Sequence, residues 1–296
     1  MWIPITLAAA TFQILRTARQ HDLKRVLDVV PAGFVRYAYG FPLAVLASVV
    51  TFGIVGSELP DPPPRFWPII AGAGVAQILG TVALLQSFRM RDFAVGTVYA
   101  KTEVIIVAVV SAVALGEPLA PLGWVGAVVC MIGVAWLAAP DRITDVLRLA
   151  GDPAALMGIS AALGFALAAT GIRAASNSLG DGPTWNRALL TLTVMLGIQT
   201  LINGAQLAAT DRRGLRAVVT SWRLAVPVGV LSLAGSACWA VAVTLTDATR
   251  VRTLGQVELV FAFAISVIWL RERHTHVEYI ASAIVLAGII VVVAFG

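Results

Sequence analysis

Apolar runs of about 20 residues, each long enough to cross a hydrocarbon core of ~30 Å, follow one another along this chain with only short connectors between them. Ten can be drawn, at 2–18, 32–54, 66–88, 94–115, 121–139, 154–175, 185–207, 223–244, 252–270 and 277–295. The first holds Arg16, which near a helix end can reach the headgroups along its own aliphatic stem. Breakers mark the connectors: Pro60-Asp-Pro-Pro-Pro64, Gly116-Glu-Pro118 and Gly180-Asp-Gly-Pro183. No connector is long enough for a separate domain. With 12% of its residues charged, against roughly a quarter in soluble domains, the chain cannot cover its own surface in water. It is expected to be an all-α integral membrane protein with ten transmembrane helices.

The net charge of +5 and the pI near 9.8 do not point to nucleic acid, because the basic residues sit in the connectors instead of on one face of a soluble fold. Cys130 and Cys238 lie within apolar runs with no CxxC or histidine cluster near them, so they read as small packing residues. His21, His274 and His276 fall in connectors, and no phosphate-binding loop or nucleophile pair is present. Neither an enzyme nor an ATP-driven pump is expected, and no metal or cofactor. The first apolar run lacks a basic leader, so no cleaved signal peptide is expected either.

The stretch Tyr99-Ala-Lys-Thr-Glu103 opens an apolar helix and returns as Leu254-Gly-Gln-Val-Glu258. An offset of 155 residues carries Glu103 onto Glu258, Ser111 onto Ser266 and Glu117 onto Glu272. Similar pairs extend along the halves: Arg16 with Arg173, Arg36 with Arg187, Gly80 with Gly235, Asp92 with Asp247, and Gly133 with Gly288. The chain therefore divides into residues 1–150 and 151–296, two copies of a five-helix unit. An odd number of crossings per copy makes the second enter the membrane from the opposite side. Such inverted repeats are a recurring plan of secondary transporters, whose sites lie near the midplane between the copies.

Fourteen basic residues fall in the odd-numbered connectors and four (Arg65, Arg173, Arg250 and Arg252) in the even ones. The excess of positive charge on cytoplasmic loops then places both termini outside.

The ten helices in two halves resemble the drug/metabolite transporter superfamily, EamA type. The likeness rests on Leu115-Gly-Glu-Pro-Leu119 after the fourth helix, Gly123-Trp-Val-Gly126, and the Met131-Ile-Gly133-Val run. It implies an inner-membrane carrier of small metabolites, in many members an exporter of amino acids or related compounds. It also implies a central cavity lined mainly by helices 1, 3, 4, 6, 8 and 9. Members of that family are drawn with cytoplasmic termini, whereas the charge count here points outward, and the second Gly-Glu site reads Arg271-Glu272-Arg273.

An ionisable group inside hydrocarbon costs a few kcal/mol and marks a functional site by default. Glu103, about eight residues into its span, is the expected cavity carboxylate, binding a cationic group of the substrate or taking up a proton. Glu258, about six residues in, is expected to sit shallower and contribute less. Lys101 is two residues from Glu103 and so projects to another side of the helix, free to meet a carboxylate on another helix or a substrate anion. Tyr99 shares the Glu103 face at i, i+4. Gln77 on the third helix and Trp239 on the eighth, with Ser232 and Ser236, are candidate lining residues. Arg36 and Arg187 open helices 2 and 7, where arginine serves as an interfacial anchor or an anion site. The alternative for Lys101 is snorkelling toward an interface, and for the glutamates, Tyr99, Gln77, Trp239 and the serines it is helix-to-helix hydrogen bonding and packing.

The expected protein is a multi-pass inner (plasma) membrane secondary transporter, an exporter of a small polar or amphipathic metabolite such as an amino acid. Alternating access, proton coupling through Glu103, and a monomeric or homodimeric state in the lipid bilayer complete that expectation. A carrier of lipids or lipid-linked compounds is the alternative, and a membrane-embedded lipid-headgroup enzyme a third.

Overall fold

The computed structural model describes residues 1–23, 26–90, 93–138, 152–268 and 275–296. Arg91, Asp92, Arg142, Arg148, Lys24, Arg25, Arg271, Glu272, Arg273 and His274 lie outside the described residues, and so do the side chains of His21 and Ser266.

Every regular element among the described residues is helical. The helices are α1 (Trp2–Leu23), α2 (Val29–Ser48, running on into a π-helical stretch Val49–Ile54), α3 (Phe66–Met90), α4 (Phe93–Ala100), α5 (Glu103–Leu115) and α6 (Pro121–Ala138). There follow α7 (Pro153–Ser178), α8 (Thr184–Thr210), α9 (Arg212–Thr220), α10 (Trp222–Leu245), α11 (Ala248–Gly255), α12 (Val257–Ile268) and α13 (His276–Phe295). Among the described residues eight stretches are long and apolar enough to cross a bilayer, the broken pair α4 and α5 counting as one from Gly96 to Leu115. Their outer faces carry bare aliphatic side chains such as Val113, Leu201 and Ile290, which belong against lipid. Prolines 42 and 227 sit inside α2 and α10, where neighbouring helices can re-satisfy the freed backbone groups.

The helices form two compact units, each built from both halves of the sequence. The division falls within α3, after Gly74, and within α7, after Thr170. The first unit holds α1, α2, α8, α9 and α10, packed around a core that includes Phe34, Val35, Leu192, Leu196 and Val228. In the second, α6 lies antiparallel to α13, with Gly133 beside Val285 and Gly126 beside Val291. There too α3 and α7 approach so closely at Gly80 and Gly164 that a Cβ on Gly164 would come within 2.7 Å of the Gly80 Cα.

Gly116 explains the Leu-Gly-Glu-Pro motif locally. At φ 68° it ends α5 in the left-handed conformation, its N–H donating to the Ser111 carbonyl, and a proline two residues on prevents the helix from restarting at once.

Candidate functional site

The two segments that the repeat pairs are both broken helices. Between α4 and α5 the chain leaves the α-helix at Lys101 and Thr102, where the Thr102 N–H donates to the Tyr99 carbonyl at 3.2 Å and the Thr102 hydroxyl to the same carbonyl at 2.6 Å. Between α11 and α12 it leaves at Gln256, whose N–H donates to the Thr253 carbonyl at 3.0 Å. Each break follows a half-helix of 8 residues. Each restart puts a glutamate in its first turn, Glu103 in α5 and Glu258 in α12, where the helix dipole favours negative charge by about 0.3–1 kcal/mol.

Each carboxylate is held by a cation from the other half of the sequence. The Arg252 Nε donates to the Glu103 Oε1 at 2.5 Å, and Arg252 Nη2 contacts the same oxygen. Lys101 Nζ donates to Glu258 Oε1 at 2.6 Å. The Glu103 side chain is 10% exposed and that of Arg252 21%, against 17% for Lys101 and 18% for Glu258. All four groups belong to the second unit. In a low dielectric such pairs are held firmly, and removing one partner leaves a stranded charge at a cost of about 3–5 kcal/mol.

Lys101 thus reaches a carboxylate on another helix, as its offset from Glu103 requires. Arg252, the partner of Glu103, is a residue that sequence reasoning assigned to a connector. It lies in α11 together with Arg250, because the helix begins at Ala248 and not at 252. With the helix beginning at Ala248, Glu258 lies ten residues along from its start. Arg173 likewise lies within α7, donating from Nη1 to the Val243 carbonyl at 2.7 Å, and His21 within α1. Three of the arginines counted in even-numbered connectors are therefore helical, and the fourteen-to-four count no longer compares loops with loops.

The other candidates disperse. Tyr99 is buried at the end of α4 against Ala155 of α7, and the turn at Lys101 and Thr102 stands between it and Glu103. Gln77 is half-buried in the second unit, its carbonyl accepting the Thr81 hydroxyl at 2.8 Å. Trp239 belongs to the first unit, where its Nε1 donates to Gln13 Oε1 at 3.3 Å. Arg36 lies a full two turns inside α2, which begins at Val29, and stacks over the Tyr37 ring at 4.9 Å. Arg187 is the fourth residue of α8 and half-buried. Among the described residues its Nε has no hydrogen-bond partner. Ser232 on α10 is buried, its hydroxyl also without a partner among those residues.

The membrane-length helices among the described residues define a multi-pass membrane protein. The model of the EamA-like transporter family matches the chain twice, over residues 3–139 and 152–294. The chain belongs to that family, a branch of the drug/metabolite transporter superfamily. No curated protein matches it. Among 28 matching chains of known structure, one described only as the crystal structure of a protein superimposes with a TM-score of 0.69 at 15% identity, over 98% of this chain and 96% of that one. At that identity the likeness is one of fold.

Proposed function

We propose that this chain is a secondary transporter exporting a small polar or amphipathic metabolite, such as an amino acid, by alternating access across the inner membrane. In this reading α1 and the broken pair α11 and α12 add two crossings to the eight membrane-length stretches, making two inverted copies of five. The carrying observation is the reciprocal charge pairing at two equivalent helix breaks, Glu103 with Arg252 and Glu258 with Lys101. Broken helices at corresponding places in two halves are where carriers of this plan hold substrate and coupling ion. Each pair offers a carboxylate that a proton or a cationic group can claim and a cation that an anionic group can claim. Glu103, the least exposed of the four side chains, is the group on which coupling rests, with Glu258 in support.

The test must separate folding from transport, and replacing both members of a pair does so, because no charge is left stranded. Glu103→Gln with Arg252→Gln, and Glu258→Gln with Lys101→Gln, are each compared with the unaltered protein in proteoliposomes. The flux measured is that of whichever compound emerges from an export-resistance screen against amino acids and cationic drugs. Both doubles are expected to keep a monodisperse size-exclusion profile, with the first losing flux and the second retaining part of it. Normal flux in the Glu103 and Arg252 double would falsify the assignment.

A further inference from the structure

Between α8 and α10, both of membrane-crossing length, the chain folds into the nine-residue helix α9. The carboxylate of Asp211, the only acidic residue between Thr184 and Thr246, is spent inside the protein: its Oδ1 accepts the Gly214 N–H at 2.8 Å and caps the helix. One side of α9 is fixed to the first unit. Val218 is buried, Leu215 and Ala217 pack on the same core, and the Tyr39 hydroxyl of α2 donates to the Val218 carbonyl at 3.0 Å.

At about 100° per residue, Arg212, Arg213 and Arg216 share an arc of roughly 100° turned away from Val218, and all three are exposed. Exposed Arg223 follows in the first turn of α10, its guanidinium 5.4 Å from the Trp222 ring. Among the described residues none of the four has an acidic partner. Beside the arginines stand Val219, 64% exposed, and Trp222, 54% exposed. A basic arc flanked by bare apolar side chains, one residue after a crossing helix ends, has the chemistry of the boundary between headgroups and acyl chains.

We propose that α9 is a binding site for anionic phospholipid. The arginines of its outer arc engage headgroup phosphates while Val219 and Trp222 enter the acyl boundary. A rigidly anchored helix gives the headgroups fixed guanidinium positions, and binding in turn holds α9 against α2 and α8.

The test uses the full chain purified in a maltoside detergent and titrated with phosphatidylglycerol or phosphatidylcholine of identical acyl chains. Retained lipid is counted by native mass spectrometry and the unfolding temperature is followed in parallel. Phosphatidylglycerol is expected to be retained and to raise the unfolding temperature, phosphatidylcholine to do neither, and added salt to reverse the effect. Arg213→Gln with Arg216→Gln, which spares the Arg212 Nε bond to the Ala208 carbonyl, should weaken phosphatidylglycerol binding on the order of 30-fold at ~1 kcal/mol per surface charge. The same pair changed to lysine should restore most of it. Equal retention of both lipids overturns the proposal, as does full retention by the glutamine variant. Stabilisation by inorganic phosphate alone, equal to that by the lipid, overturns it in favour of a soluble anion. Should the glutamine variant not fold, the lipid selectivity and salt dependence of the unaltered protein decide the matter.

Discussion

The two broken helices descend from one ancestral segment by the offset of 155 residues, yet they treat their charges differently. The first half carries cation and anion on either side of its break, at Lys101 and Glu103. The second half has neutral Gln256 where Lys101 would be, and its cation, Arg252, occupies the place of Thr97. The carboxylates stand at equivalent positions and the cations do not, and each carboxylate takes its counter-charge from the other half. The pair that resulted first in chain order, Glu103 with Arg252, is the more buried on its acidic side and has a forked donor; the pair of Lys101 with Glu258 relies on a single ammonium.

If that asymmetry is real in energy as well as geometry, single substitutions should fall in order. Arg252→Gln strands Glu103 and is expected to cost the most, about 3–5 kcal/mol, read as a drop in unfolding temperature in detergent and recovered in large part by adding Glu103→Gln. Lys101→Gln strands Glu258, the more exposed of the two carboxylates, which lowers the expected cost below that of a fully buried pair, to about 1.5–3 kcal/mol. A cost equal to that of Arg252→Gln would erase the distinction between the pairs. The smallest effect tests the breaks themselves. Thr102 closes the first break with its hydroxyl on the Tyr99 carbonyl, whereas the equivalent residue in the second is Val257. Thr102→Val should therefore cost about 1 kcal/mol, and Val257→Thr should add no stability, since the second break closes without a hydroxyl.

Much of this was legible in the residues because apolar length and the two glutamates are strong signals. The membrane-length helices begin and end within a few residues of the runs drawn from the sequence, and Lys101 had to look beyond its own helix. The first break was not legible, because Tyr99-Ala-Lys-Thr contains neither glycine nor proline to announce one, whereas Gly255 stands directly before the second. Arg252 was missed because an arginine next to Arg250 looks like the end of a connector when hydropathy sets the boundary, while its real role is set by a carboxylate 149 residues away. The same bias hid α9, whose arginines read as loop charge until the buried Val218 and half-buried Leu215 gave the helix an inner face.

The separation of Glu103 from Arg252 by 149 residues also has a meaning in time. At about 5–20 residues per second of synthesis, the carboxylate waits in the insertion machinery or the bilayer for roughly 7–30 s before its guanidinium is made. Lys101 waits as long for Glu258. During that interval the nascent first half contains neither a complete compact unit nor the partners of Lys101 and Glu103. Its stay in the membrane must be tolerated by water, by the insertase, or by a borrowed partner, and a quality-control protease that recognises unpaired charge would find its target there.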